Sequence, residues 1–217
     1  KFKNRTAQTR RLTDLIQRVR LKVPVENAED NTPLELIGLK SFLESIIELR
    51  WIVPDMLEEG GAMLLTGPPG IGKTQYSLRW AMNLGLGQEY LNYPVVEPTK
   101  VLMFSLEMGF APLKYFLQSM TKDMNVADIF KLEDMIKFIP LGESLALNNE
   151  SQKKKFEEAI QYHKPKIIIV DSLSASVNGE LTEGNAKDVM NYGDRLRKKY
   201  NLTTWFIHHQ RKAQAEN

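Results

Sequence analysis

Residues 62–74, Ala62-Met63-Leu64-Leu65-Thr66-Gly67-Pro68-Pro69-Gly70-Ile71-Gly72-Lys73-Thr74, carry an apolar run into a glycine-rich turn that fits G-x-x-x-x-G-K-[ST]. The apolar stretch 62–66 reads as a buried strand, and 75–84 (QYSLRWAMNL) reads as the helix that follows. At average composition the pattern arises by chance in roughly one per cent of chains this long. The strand before it and the helix after it make an accidental turn rarer still. Glycines let successive backbone N–H groups point inward, and the positive end of the following helix adds to the attraction for phosphate. Lys73 supplies a point charge for the β- and γ-phosphates, and Thr74 supplies the hydroxyl that such loops use to hold Mg²⁺. The expected nucleotide contacts are therefore Gly67, Pro68, Pro69, Gly70, Ile71, Gly72, Lys73, Thr74 and Gln75.

Downstream, apolar runs alternate with amphipathic ones. Strands are predicted over 100–105, 137–141, 166–171 and 203–208, and helices over 111–121, 126–136, 151–163 and 186–200. Such alternation predicts an α/β fold, a mostly parallel sheet flanked by helices. The run Ile167-Ile168-Ile169-Val170-Asp171 delivers an acid to the carboxyl end of a buried strand, where open α/β sheets collect ligands. Asp171 is the expected second support for Mg²⁺. The next position is Ser172, so a water-activating carboxylate must come from elsewhere. Glu107, just past the end of the strand Val101-Leu102-Met103-Phe104-Ser105, is placed for that task, capping of the next helix being the blander role. Met108, Met120 and Met124 read as core filler.

Taken together, the GPPGIGKT loop, the FSLEM segment, IIIVD and the strand FIHHQRK resemble the RecA/DnaB-type P-loop ATPase superfamily, in particular its plasmid and phage replicative-helicase branch, the RepA-like proteins. The resemblance covers roughly 50–212. It implies a RecA-like core that forms rings or filaments, hexamers above all, with ATP at subunit interfaces and single-stranded DNA near the axis. It also implies catalytic roles for Lys73 and Glu107 and a polar sensor at the end of the 203–208 strand. His209 is the first choice for that sensor and His208 the second. A metal site on this histidine pair is the poorer reading, because adjacent strand residues face opposite sides and no cysteine or third nearby histidine completes a set.

The function expected is ATP hydrolysis by the motor core of a replicative-type DNA helicase. Two alternatives remain: an ATP-dependent recombinase or mediator on single-stranded DNA, and a nucleotide-gated assembly switch without DNA. A GTPase would show an N/T-K-x-D guanine-reading motif, and the sequence has none. Two features depart from the family pattern. The loop over 174–187 carries Glu180 and Glu183 with one terminal lysine, a poor phosphate binder. The chain also stops at Asn217, where a second DNA-facing loop and an arginine finger are expected, leaving Arg211 and Lys212 as weak candidates for acting across an interface.

Charge is uneven within a net of +2. Residues 1–22 hold Lys1, Lys3, Arg5, Arg10, Arg11, Arg18, Arg20 and Lys22 against Asp14 alone. Leu12, Leu15, Ile16 and Val19 recur at helical spacing, which favours a packed or partner-docking amphipathic helix over direct DNA contact. The organisation expected is thus a basic arm and linker over 1–31 and a RecA-like ATPase domain over 32–217, cut short at its carboxyl end. Thr32-Pro33-Leu34-Glu35 forms a capping box opening a helix to about residue 49, and Trp51 reads as a core anchor. With no cysteine and no apolar run of membrane-spanning length, a cytoplasmic protein away from membranes is expected.

Overall fold

The computed structural model describes residues 36–45, 49–105, 107–139 and 146–209. The chain divides into two compact units, Lys1–Arg50 and Trp51–Asn217. Within the first, helix α1 spans Leu39–Glu44 and buries none of its residues. Gly38 precedes it and Ser45 ends it in extended backbone, so this helix is shorter than the predicted 32–49 span. The capping box and the basic arm lie outside the described residues.

The second unit opens with an antiparallel pair, β1 (Trp51–Val53) and β2 (Leu57–Glu58). It continues with β3 (Ala62–Gly67), α2 (Lys73–Leu86), β4 (Val101–Ser105), α3 (Phe110–Thr121), α4 (Val126–Met135) and β5 (Ile136–Phe138). Then follow α5 (Glu150–His163), β6 (Ile167–Asp171), α6 (Glu183–Tyr200) and β7 (Thr203–His209). Five strands form one sheet in the order β3-β7-β6-β4-β5, and every neighbouring pair is parallel. The predicted α/β fold with a mostly parallel sheet flanked by helices is thus the fold observed.

Why the sheet is covered on both faces follows from residue parity. Val101 and Met103, Ile167 and Ile169, and Trp205 and Ile207 share one core with Leu78, Trp80 and Leu84 of α2. The alternate residues Leu102, Phe104, Ile168, Val170 and Phe206 share the other with Phe156 and Ile160 of α5 and Val189, Tyr192 and Leu196 of α6. Strand β3 is the exception, because its second face is thinly covered: Leu64 is 48% exposed. Met108, Met120 and Met124 are partly buried against the first core.

Two of the boundary differences from the sequence reading have clear local reasons. Strand β5 starts at Ile136 because α4 ends at Met135 and hands over without a loop, so the predicted start at 137 is one residue late. Helix α6 begins at Glu183, with the Thr182 side chain accepting from Asn185 N, which shortens the loop predicted over 174–187. The first part of that loop is not free either, since Leu173 and Val177 lie in the second core and the Ser176 carbonyl accepts from Leu147 N at 2.7 Å.

Candidate functional site

The loop between β3 and α2 is a cradle built by backbone conformation. Gly70 and Gly72 hold φ of 80° and 88°, a region that side chains rarely tolerate. A Cβ on Gly67 would lie 2.7 Å from Ile71 Cδ1. Lys73, the first residue of α2, is buried, and its Nζ donates to the carbonyls of Gly67 at 2.8 Å and Pro68 at 2.7 Å. The ammonium is thereby held inside the loop. Pro68, Pro69, Gly70 and Ile71 are exposed, so the cradle faces solvent. A tetrahedral anion fits this arrangement of backbone donors, a buried ammonium and a helix start.

The carboxyl edge of the sheet brings the other predicted groups to the same place. Parallel register pairs Gly67 with His209, Ile207 with Asp171, and Asp171 with Ser105. Parity places His209 and Asp171 on the α2 face of the sheet and His208 on the opposite one. Asp171 is fully buried beside the Thr74 hydroxyl, and neither carboxylate oxygen is in a well-aligned hydrogen bond. Burial pushes its carboxyl above the ordinary value, and the nearby Glu107 adds to that rise. Thr74, His209 and Lys73 pull the other way. Thr74 and Asp171 thus sit together, and an orphaned buried carboxylate beside a hydroxyl is the donor set a hard divalent cation takes.

Glu107 is held from two sides. Its Oε1 accepts from Ser172 Oγ and, at 3.3 Å, from Ser174 Oγ. The two serine hydroxyls are themselves 2.7 Å apart. On the other side, His209 Nε2 lies 2.6 Å from Glu107 Oε2, close but without the alignment of a hydrogen bond. The ligand atoms of Glu107, Asp171 and His209 all lie within 4.8 Å of one another. The Asp171–Ser172 peptide is cis.

Of the residues named from sequence, Lys73, Thr74, Glu107, Asp171 and His209 therefore converge, while His208 lies on the other side of the sheet and Arg211 and Lys212 fall outside the described residues. Gln75 lies beside the loop, its Oε1 near where a Gly72 Cβ would be. The serine pair was not foreseen as a support for Glu107. A hydroxyl directly after a strand-end aspartate is the available signal, and its partner lies 65 residues away in sequence. Two surface cavities lie away from this cluster. One of about 520 Å³ opens near Pro165 and Asn201 at the amino edge of the sheet, and one of about 450 Å³ opens beside α3.

Comparison with known proteins agrees with this geometry. A family model described as an AAA domain matches residues 31–215, and the chain belongs to that family. No curated protein matches the sequence. Among solved structures, a KaiC-like protein from the hyperthermophilic archaeon Pyrococcus horikoshii is similar at TM-score 0.53 and 14% identity. The likeness covers 73% of this chain and 65% of that one, less than two thirds of its length, and bears on the fold. No described helix is long and apolar enough to cross a membrane.

Proposed function

We propose, from membership of the AAA domain family as the premise, that this protein hydrolyses ATP as the RecA-like motor core of a replicative-type DNA helicase in the cytoplasm. The observation that carries the ATPase reading is the convergence of Glu107, Asp171 and His209 beside the phosphate loop, from the ends of three adjoining parallel strands. Strand β7 lies between the loop strand β3 and the acid strand β6. In this reading a water stands between the γ-phosphate and the Glu107 carboxylate.

Each residue has a separate task in that reading. The inward N–H groups of the loop and the Lys73 ammonium hold the β- and γ-phosphates. Thr74 and Asp171 would hold Mg²⁺, which supplies charge neutralisation on the phosphates when bound. Glu107 orients the attacking water in line with the scissile bond and takes its proton as phosphate departs from ADP. His209, in contact with Glu107 and at the end of β7, registers loss of the γ-phosphate and passes it to the segment that follows. The products are ADP and phosphate.

The motor reading rests on the order of the four motifs and on the His208-His209 strand end. Single-stranded DNA is the proposed polymer and a homo-oligomeric ring, six subunits in its simplest form, the proposed assembly. The loop over 174–187 is a poor DNA contact, because its first part is tied into the core and its exposed tip at 178–180 ends in Glu180. Contact with DNA is assigned to other segments. Unwinding of a forked duplex by the purified protein with Mg²⁺ and ATP tests the proposal. Strand separation that requires hydrolysis supports it, while DNA-stimulated hydrolysis without strand separation moves the assignment to a recombinase or mediator.

A further inference from the structure

We propose that Glu107, Asp171 and His209 form a binding site for a divalent cation of intermediate softness, Zn²⁺ above all, which needs no nucleotide and shares only Asp171 with the Mg²⁺ position of the loop. The argument starts from donor type. Mg²⁺ demands oxygen ligands and retains water, whereas an imidazole nitrogen suits zinc and its first-row neighbours. Zinc takes both imidazole nitrogen and carboxylate oxygen as ligands, and three protein ligands leave a fourth position open.

Geometry then supports the set. A tetrahedral ion with bonds of about 2.0–2.2 Å places its donors roughly 3.3–3.6 Å apart. The three ligand atoms here lie within 4.8 Å of one another, with His209 Nε2 and Glu107 Oε2 at 2.6 Å, so small side-chain rotations open the required spacing. Asp171 and His209 close the adjacent strands β6 and β7, and Glu107 lies two residues past the end of the neighbouring β4.

The burial of Asp171, which also suits the Mg²⁺ position, points to a cation at the same spot when no nucleotide is bound. Asp171 is fully buried, with the Thr74 hydroxyl beside it but neither oxygen in a well-aligned hydrogen bond, which is costly for a carboxylate unless a cation meets it. His209 Nδ1 is also without a partner. Access is provided by Glu107, which is exposed at the mouth of the cluster. The serine pair fixes Glu107 Oε1 and leaves Oε2 for the ion. The histidine pair alone cannot make such a site. Carboxylates from the neighbouring strands complete the set that histidines and cysteines leave open.

One consequence rests on the proposed function: an ion held here takes Glu107 away from the attacking water. Binding itself does not depend on that function. The test is calorimetric titration of the nucleotide-free protein with Zn²⁺, with and without excess Mg²⁺. The chain has no cysteine and only three histidines, so the background is small. One Zn²⁺ per chain is expected, retained in excess Mg²⁺. His209→Asn and Glu107→Gln should each weaken it at least about tenfold, since even an outer-shell change costs that much. Glu107 is exposed, so its variant reports ligation without threatening the fold. His208→Asn should leave binding intact. No binding in the unaltered protein, equal binding in the His209 and Glu107 variants, or equal loss in His208→Asn would overturn the site. Absence of ATP hydrolysis would sink the proposed function and leave this site standing.

Discussion

Lys73 and Asp171 illustrate how a site built for charged ligands strains the protein that carries it. The Lys73 ammonium, buried within the loop, is satisfied by two carbonyls, whereas the Asp171 carboxylate is buried with the Thr74 hydroxyl beside it and no well-aligned hydrogen bond. Replacing the aspartate by asparagine removes a charge whose burial outweighs its compensation, so Asp171→Asn should raise the melting temperature of the ligand-free protein while lowering its hydrolysis at least about 100-fold. Scanning calorimetry beside a phosphate-release assay checks both, and an Asp171→Asn protein of unchanged or lower melting temperature contradicts the reading of an orphaned charge. Lys73→Ala should abolish nucleotide binding, read by fluorescence of a labelled ATP analogue. The residues with these roles were legible because each follows a strand end or a glycine turn. Ser172 and Ser174 were not, because their hydrogen bonds to Glu107 bridge two strands and depend on register.

At the scale of elements, the sheet is held by close approach of its helices, and two contacts make that measurable. A Cβ added to Gly193 of α6 would stand 2.9 Å from Phe206 Cζ on β7, a ring buried in the second core. Gly193→Ala should therefore destabilise by roughly 1–3 kcal/mol despite its better helix propensity, as urea unfolding would show. His163, at the end of α5, points its Nε2 at the Val101 carbonyl 3.2 Å away and is buried. Burial holds its imidazole below the ordinary value, so the unfolded chain binds a proton at a pH where the native one does not. The stability gained by keeping it neutral is complete above the ordinary imidazole value of about 6.5 and is lost as pH falls below it. Melting temperatures measured downward from pH 7.5 should drop less steeply in His163→Gln, which keeps a donor for the carbonyl. Helices and long strands were readable from periodicity, whereas the β1–β2 pair escaped because strands of three and two residues carry no period.

On the scale of the whole molecule, the parallel sheet was legible because its inner strands β4 and β6, and most of β7, are buried on both faces and so read as continuous apolar runs. Strand order was not, since no local pattern tells β7 to insert between β3 and β6. That insertion sets His209 beside Gly67 and Asp171, and the chemistry proposed here depends on it. Single-stranded DNA should accelerate hydrolysis if the core is a DNA motor, and the acceleration should weaken as salt rises, because phosphate contacts release counterions. The most direct measurement is the steady-state ATPase rate of the protein and of Glu107→Gln, each with and without single-stranded DNA. The account predicts DNA-stimulated hydrolysis in the unaltered protein and a loss of about 100-fold or more in Glu107→Gln with ATP binding retained. Robust hydrolysis indifferent to both DNA and Glu107 would contradict it.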